Sequence, residues 1–288
     1  MGVWTRAAGI IGAAGAGLAI SASVAGALAA GLGKPEPWQI AMQVPVTPIA
    51  NELHSFHTLL MWIITAITLF VAGLLGWCIF RFNERSNPTP SKTAHNTPIE
   101  IAWTILPVLI LVLIAIPSFR LLRGQLVPPP ADMTIKATGN AWYWGYEYAA
   151  GQDGQGGFRF DANLVEEKDL KAGQTRLLAT DNDVVVPVNK VVLVQVTAAD
   201  VLHAFAMPSF GIKVDAVPGR LNQTWFKAER EGTYHGQCSE LCGQRHAFMP
   251  ITIRVVSEEA YAAWLAEART KFASTDPAPA ATRLAGAN

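Results

Sequence analysis

Residues 58–80, TLLMWIITAITLFVAGLLGWCIF, decide the fold, because this long apolar stretch contains no charged side chain. At about 1.5 Å per residue, a helix of this length crosses a hydrocarbon core roughly 30 Å thick. A second uncharged stretch, IAWTILPVLILVLIAIPSF, follows a polar loop at residues 101–119. Together they predict a transmembrane helical hairpin. Its predicted parts are a first helix at residues 55–80, a loop at residues 81–97 and a second helix at residues 98–123.

Lysine and arginine are unevenly distributed around this hairpin. The loop between the helices carries Arg81, Arg85 and Lys92, whereas the nearest cation before the first helix is Lys34. Cytoplasmic loops of membrane proteins are enriched in such cations. We therefore expect a two-pass protein of the bacterial inner (plasma) membrane, with a cytoplasmic loop and both termini in the periplasm.

The N-terminal stretch resembles a targeting segment. Residues 1–29 contain an early cation, Arg6, then a long run of small apolar residues that ends in Ala27-Leu28-Ala29. A small-x-small sequence of this kind is typical of signal-peptidase sites, so we predict a signal peptide that is removed. A third membrane helix is the alternative. Residues 30–54 would then form a periplasmic N-terminal segment.

Composition narrows the classes of partner. Of the 288 residues, 51% are hydrophobic and only 15% are charged, which is too apolar for an ordinary soluble domain. Lys plus Arg and Asp plus Glu both count 22, so no basic field would attract nucleic acid. We expect contact with membrane lipid, no nucleic acid, and charge-guided partners that bind only a local patch.

The chain changes character after VPPPAD, residues 127–132. Short β-type runs follow, separated by Gly, Pro, Asn and Asp: MTIKAT, WYWGYEY, VVLVQVT, TWFKA and ITIRVV. This pattern predicts a β-sandwich or barrel over residues 131–256. Residues 257–272, SEEAYAAWLAEARTKF, have a serine and two glutamates at their start and a lysine near their end, which predicts a capped helix. The Ala/Pro-rich residues 273–288 are predicted to be disordered.

A group of soft and borderline metal ligands lies in CSELCGQRHAFM, residues 238–249. A mononuclear blue-copper site needs two imidazoles, one thiolate and a weak axial thioether. His203, Cys242, His246 and Met249 supply that set, and Cys238 adds a second thiolate. Two thiolates can bridge two copper ions while each histidine caps one of them. The pattern therefore predicts a dinuclear copper centre, which suits electron relay better than bond-making chemistry.

Three other interpretations of these residues stay open at this point. Structural zinc accepts two cysteines and two histidines, but the Cys-x3-Cys and His-x2-Met spacings are not those of zinc fingers or ribbons. A disulfide between Cys238 and Cys242 suits an oxidising compartment, but it leaves the histidines and Met249 without a role. A membrane-anchored copper-delivery protein can also use Cys-x3-Cys with a distant histidine, although its site must exchange metal readily.

From the first helix through Val256 the chain closely resembles subunit II of the cytochrome c oxidases. The resemblance is carried by WTILP, GNAWYWGYEY, ADVLHAFAMPSFGIKVDAVPGRLNQTWF and CSELCGQRHAFMP. It implies an all-β, cupredoxin-like Greek-key sandwich attached to the two-helix anchor. It also implies that electrons pass from cytochrome c through a CuA centre to haem in subunit I, where oxygen is reduced to water with proton pumping.

The resemblance further implies partner subunits, and it leaves two related protein families as alternatives. Subunit I, with its haems and second copper site, and other oxidase subunits would surround this chain. A quinol oxidase subunit shares the hairpin and sandwich, but its donor bypasses a periplasmic copper site, and the copper ligands are intact here. Nitrous oxide reductases share the copper motif but carry a large propeller domain that this sequence lacks.

Several residue roles follow from the resemblance. The CuA ligands would be His203, Cys238, Cys242, His246 and Met249, together with the backbone carbonyl of Glu240. The Glu240 carboxylate would also bind a magnesium ion at the boundary with subunit I, since Mg²⁺ prefers hard oxygen ligands. A solvated loop glutamate is the alternative.

Electrons would enter this family of proteins at the position of Trp142, although aromatic residues in a strand usually belong to the core. Glu147, Asp181 and Asp200 fall where the family carries acids that dock a basic cytochrome, and each alone could be an ordinary surface charge. Ala199 departs from the family pattern, because an acid is often found there.

Glu100 has two readings. The family places a carboxylate at this position, at the cytoplasmic mouth of a proton path into the catalytic subunit. Alternatively, Glu100 belongs to a capping box with Thr97 as the N-cap and Pro98 as the first helical residue.

Overall fold

The computed structural model describes residues 33–149 and 157–272. The predicted signal peptide and the predicted disordered tail therefore lie outside the described residues, as do residues 150–156.

Two long helices open the described chain, α1 at Pro48–Arg81 and α2 at Thr97–Leu126. Both are long and apolar enough to cross a membrane. Helix α1 starts seven residues before the predicted span, because Thr47 caps it: the Thr47 hydroxyl accepts from the Ala50 amide at 3.0 Å, and Pro48 follows as the first helical residue. Two prolines lie inside α2, which membrane helices tolerate better than soluble ones do.

The N-cap residue of α2 differs from the predicted one. Asn96, not Thr97, is the N-cap, and its side-chain oxygen accepts from the Ile99 amide at 3.3 Å. Asn is at least as good a cap as Thr, so the helix starts one residue earlier than predicted. Glu100 does reach back, since its Oε1 accepts from the Asn96 amide at 3.1 Å. The reciprocal bonding of a capping box is thus present, with a different cap residue.

The remainder is a sandwich of two five-stranded sheets. The strands are β1 Met133–Asn140, β2 Tyr143–Tyr148, β3 Phe158–Ala162, β4 Val184–Pro187, β5 Val191–Ala198, β6 His203–Met207, β7 Ile212–Ala216, β8 Asn222–Lys227, β9 Gly232–Cys238 and β10 Pro250–Val256. The first sheet has the order β3-β2-β1-β5-β8 and the second β4-β10-β9-β6-β7. The pairs β1–β5 and β4–β10 are parallel, and the other neighbours are antiparallel.

The core lies between the sheets and follows from the alternation of the strands. In β5, every second residue is buried, including Val192, Val194 and Val196. Large buried aromatic side chains from both sheets complete this core. Trp144 of the first sheet and Phe205 of the second lie edge to face, with ring centroids 5.5 Å apart. The predicted hairpin followed by a β-sandwich is confirmed.

A third helix, α3 at Glu258–Lys271, closes the described chain. Ser257 caps it by accepting from the Ala260 amide at 3.2 Å, as its sequence predicts. Trp264 of this helix packs against Tyr148 and Phe158, with ring centroids 5.4 and 5.9 Å apart. The helix is therefore attached to the sandwich by aromatic contacts.

The hairpin and the sandwich are joined at two places. The Thr47 hydroxyl donates to the Phe210 carbonyl at 2.8 Å, just beyond the end of β6. The Trp225 indole of β8 donates to the Gly124 carbonyl, in the last turn of α2, at 2.9 Å. One hydrogen bond thus ties each helix to a different sheet.

Candidate metal centre

The predicted copper ligands converge at one end of the second sheet. His203 is the first residue of β6 and Cys238 the last of β9, and these two strands are neighbours. The loop between β9 and β10 carries Cys242, His246 and Met249. It closes on itself, because the Cys238 amide donates to the Met249 carbonyl at 3.4 Å. Strands β9 and β10 therefore hold the two ends of the ligand loop.

The donor atoms surround the two sulfur atoms. Cys238 Sγ and Cys242 Sγ are 3.7 Å apart, and both cysteines are free. His203 Nδ1 lies 3.8 Å from Cys238 Sγ, whereas His246 Nδ1 lies 3.5 Å from Cys242 Sγ. Met249 Sδ lies 3.6 Å from Cys242 Sγ, completing the side-chain set. One imidazole thus faces each sulfur.

A backbone oxygen joins these donors. The Glu240 carbonyl lies 3.3 Å from Cys238 Sγ, so this residue contributes to the cluster through its main chain. Its carboxylate side chain is exposed, which leaves it free for a separate ligand.

His203 is fixed in one tautomer by a carboxylate. The ring is 0% exposed, and its Nε2–H donates to Asp200 Oδ1 at 2.9 Å. The Nδ1 lone pair is therefore available towards the sulfurs, the arrangement found when a carboxylate orients a metal-binding histidine. Burial alone would lower the pKa of His203, but the hydrogen bonds to Cys238 and Asp200 raise it.

Asp200 itself is held as an anion. Partial burial opposes its ionisation, but hydrogen bonds from His203, Val201 and Ala141 outweigh that effect and lower the pKa of the carboxyl group. The Ala141 amide donates at 2.7 Å and the Val201 amide at 2.6 Å. Asp200 thus connects the buried imidazole to the residue directly before Trp142.

The two thiols differ in acidity. Burial opposes ionisation of Cys238, but hydrogen bonds with His203 and with the backbone of Glu240 and Ala204 lower its pKa to about 6. Burial, together with the negative charge on Cys238, raises the pKa of Cys242. Cys238 is therefore the first of the pair to become a thiolate, and a metal cation would favour deprotonation of both.

This donor set fits a copper pair. Metal–thiolate bonds of about 2.3 Å allow two sulfurs on a common metal to lie up to roughly 4.6 Å apart, and the observed 3.7 Å is within that reach. His203, Cys238 and Cys242 form one group whose ligand atoms lie within 4.8 Å of one another. His246 falls outside that group and approaches Cys242 instead. Imidazoles at both ends of a sulfur pair suit two metal ions better than one tetrahedral zinc.

Two tryptophans contact the ligand loop from the first sheet. Trp142 lies in the turn before β2, half-buried, and its indole donates to the Cys242 carbonyl at 3.2 Å. Trp144, two residues further along the chain, is 0% exposed and donates to the Met249 carbonyl at 3.3 Å. Of these two tryptophans, only Trp142 combines contact with the ligand loop and partial exposure.

The predicted docking acids are spread over the domain. Asp200 lies at the metal centre, and Glu147, within β2, pairs with Lys136 at 3.0 Å. Asp181 accepts from the amide and the side chain of Asn163 at 2.7 and 3.2 Å. Each of these acids thus already has a partner within the chain.

Glu100 lies far from the metal centre. It is in the first turn of α2, whereas the sandwich follows the other end of that helix. A helix of 30 residues is about 45 Å long, so Glu100 and the copper ligands lie on opposite sides of any membrane that α2 spans.

Several contacts of the site are not predicted from the sequence. Two of them support its ligands: the first is the bond from His203 to Asp200, a residue predicted only as a docking acid, and the second is the bond from Trp144 to the Met249 carbonyl. A signal for the first was available, since an acid three residues before a metal-binding histidine can reach its second ring nitrogen. The second depends on strand pairing and has no local signal.

Comparison with known proteins gives consistent matches over most of the chain. The family descriptions "Cytochrome C oxidase subunit II, periplasmic domain" and "Cytochrome C oxidase subunit II, transmembrane domain" match residues 133–256 and 35–121. Cytochrome c oxidase subunit 2 of Cereibacter sphaeroides is 50% identical over 251 residues, which cover 83% of this chain and 83% of that protein. A probable cytochrome c oxidase subunit 2 of Rickettsia bellii (strain RML369-C) is 52% identical over 233 residues, which cover 81% and 85%.

A solved structure also matches. The crystal structure of the periplasmic domain of subunit II of cytochrome oxidase of Bradyrhizobium japonicum is 56% identical, with a TM-score of 0.46. The match covers 51% of this chain and 99% of that one.

Proposed function

Since this chain belongs to the cytochrome c oxidase subunit II family, and is thus a subunit of a haem–copper terminal oxidase, we propose that electrons enter the oxidase through it. It receives them from cytochrome c at a dinuclear copper centre, CuA, and passes them to haem in subunit I. Oxygen is reduced to water in subunit I, with proton pumping. The proposed topology is two-pass in a bacterial inner membrane, in contact with lipid and with both termini periplasmic.

The observation that carries this proposal is the arrangement of donors around the sulfur pair. His203, Cys238, Cys242, His246 and Met249, with the Glu240 carbonyl, would hold the copper ions. A bound copper pair would supply one-electron chemistry, sharing a single electron between two ions. The side-chain donors leave little room for a substrate, which suits relay rather than catalysis at this centre.

The chain's own residues would keep this centre rigid. Asp200 fixes the His203 tautomer, and the hydrogen bond between Cys238 and Met249 closes the ligand loop. Burial of His203, Met249 and the two cysteines excludes water from most of the site. A stiff, dry site needs little rearrangement when its charge changes.

Trp142 is the proposed residue at which electrons enter. Its indole is partly exposed and bonds directly to the backbone of Cys242. Glu147, Asp181 and Asp200 would add negative charge for docking a basic cytochrome, although their internal partners reduce the charge available to a cytochrome.

Two carboxylates have further proposed roles at the boundary with subunit I. The exposed Glu240 carboxylate would bind magnesium there, while its carbonyl faces Cys238. Glu100 would collect protons on the cytoplasmic side. Its hydrogen bond to the Asn96 amide uses only Oε1, so the capping role and the proton role are compatible.

Copper content and spectrum of the purified oxidase test the proposal. We expect this chain to contribute two copper ions in addition to the copper of subunit I, and a hyperfine pattern from one electron shared by two equivalent nuclei. A contribution of a single copper ion with the spectrum of a mononuclear site would contradict the proposal. A site that releases its metal readily to a chelator would favour the copper-delivery alternative.

Replacing Trp142 by Phe tests the entry route. The phenyl ring lacks the indole N–H that donates to the Cys242 carbonyl, so electron transfer from cytochrome c should slow at least tenfold, about 1.4 kcal/mol in the barrier. The copper spectrum should stay unchanged. An unaltered transfer rate would remove Trp142 from the route.

A further inference from the structure

A glycine of the first sheet lies directly against the His203 ring. Gly139 is on the inward face of β1, and a Cβ atom built on it would lie 2.8 Å from His203 Cδ2, 2.9 Å from Cγ and 3.0 Å from Cβ. Carbon atoms do not pack this closely in a folded protein, where contacts of about 3.5–4.0 Å are optimal. Any side chain at position 139 would therefore displace the imidazole.

The gap beside Gly139, which the His203 ring occupies, results from the sequence of β1. The inward residues of β1 become smaller towards the metal centre, from Ile135 to Ala137 to Gly139. Gly139 pairs with Trp144 of β2, so the indole stands beside the missing side chain. The His203 ring lies in that gap, with its centroid 6.2 Å from the Trp144 ring and the two planes inclined at 61°.

We propose that Gly139 is a positioning residue for the metal centre, because its missing side chain forms the slot that sets the plane of the His203 ring. This inference rests on the function proposed above. Three neighbours then fix the ring: Gly139 against its Cγ and Cδ2 atoms, the Trp144 ring beside it, and Asp200 at Nε2. With those contacts set, Nδ1 has one direction available, towards Cys238.

The second imidazole is held differently. His246 lies in the short 3-10 helix His246–Phe248 within the ligand loop and is half-buried. His203 is instead fixed by residues of the opposite sheet. A substitution at Gly139 should therefore disturb the His203 end of the centre selectively.

The first test replaces Gly139 by Ala in the complete oxidase. Gly145→Ala is the matched control, since Gly145 lies on the adjacent strand and its added Cβ would meet Asp161 Oδ1 at 3.1 Å, the end of a flexible side chain. We expect the G139A spectrum to show unequal copper nuclei and metal loss to a chelator to be about 10–100-fold faster. The control should match the unsubstituted chain.

The outcomes separate this inference from the function on which it rests. A copper pair in the unsubstituted chain together with an unchanged G139A spectrum would overturn the role of Gly139 alone. If the unsubstituted chain holds no copper pair, the proposed function fails instead.

A second test does not depend on copper or on assembly of the G139A variant. In the copper-free full-length chain, G139A should lower the midpoint of thermal unfolding when His203 is present. In a chain that also carries His203→Ala, the slot is empty and G139A should have little effect, since residues in contact couple. An equal decrease in the unfolding midpoint with and without the His203 side chain would show that Gly139 does not act through the His203 ring.

Discussion

Single residues decide the quality of the metal centre, and Asp200 shows how. The sequence places it among surface acids, whereas the structure gives it three hydrogen-bond donors: His203 at the start of β6, Val201 in the loop before β6, and Ala141 in the turn after β1. The bond to Ala141 spans 59 positions of sequence, so no local pattern could reveal it. Ligand types could be predicted from the motif, because each donor's chemistry is a property of its own side chain. Ligand orientation could not, because it depends on residues brought near by folding.

Replacing Asp200 by Ala should weaken copper binding. The His203 Nε2–H and the Ala141 amide would lose their acceptor, and the imidazole would no longer be held in one tautomer. Loss of such an orienting carboxylate costs about 10–100-fold in metal affinity. Copper competition with a chelator measures the change. Asp215→Ala, on the exposed side of neighbouring β7, serves as the control and should bind copper as the unsubstituted chain does.

At the scale of elements, most strongly patterned segments could be predicted and weakly patterned ones could not; β3 is the exception, since its residues alternate between buried and exposed but it is not among the predicted strands. The membrane helices, β1, β2, β5, β8, β10 and the helix after Ser257 follow from long apolar runs, alternation or caps. Strand β4 is buried at every position and β9 contains two glycines, so neither shows clear alternation. The predicted start of α1 at residue 55 is seven residues late, because the helix begins at Pro48 after its Thr47 cap and continues through Glu52.

The bond from Trp225 to Gly124 should stiffen the junction between α2 and the sandwich. Trp225→Phe keeps an aromatic ring but removes the N–H donor, leaving a C-terminal helix carbonyl without its partner. We expect a loss of about 1 kcal/mol at this junction. Hydrogen exchange at the backbone amides within residues 125–132, where Pro128–Pro130 have none, should become roughly fivefold faster, as that free energy implies.

A matched variant separates the hydrogen bond from the change in ring size. Trp264→Phe makes the same substitution in α3, where the ring packs on Tyr148 and Phe158. Exchange at residues 125–132 should not change in that variant. Equal acceleration in both variants would show that the Trp225 bond does not hold the junction.

The whole domain should lose stability in mild acid. Burial lowers the pKa of His235 below its ordinary value of 6.5, with nearby Lys34 acting in the same direction. Below pH 6.5 the unfolded chain therefore binds a proton at His235, whereas the folded chain does not bind it until the pH is lower. Stability is fully present above pH 6.5 and falls as the pH drops from there towards the folded-state pKa. The buried carboxyl of Asp183 has a raised pKa and acts oppositely, because its burial costs stability as pH rises above 3.8.

The change His235→Gln should reduce the loss of stability below pH 6.5. The neutral amide can still form a hydrogen bond with Thr252 Oγ1, which lies 3.3 Å from His235 Nδ1, but it takes up no proton. Thermal midpoints of the full-length chain between pH 5 and 8 measure the slope. His95→Gln, in the exposed loop between the membrane helices, should keep the original slope. An unchanged slope in H235Q would assign the acid sensitivity to other groups.

The length of α2 has an electrical consequence. This helix of 30 residues is about 45 Å long, more than the thickness of the hydrocarbon core, and it places Glu100 and the predicted copper ligands beyond opposite ends of that core. In the proposed function, an electron that reaches the copper end arrives outside the membrane's electric field. A proton that moves inward from Glu100 would cross part of that field, at up to about 2.3 kcal/mol per 100 mV. Respiratory voltage should therefore slow proton transfer from Glu100 into subunit I far more than the arrival of electrons from the donor.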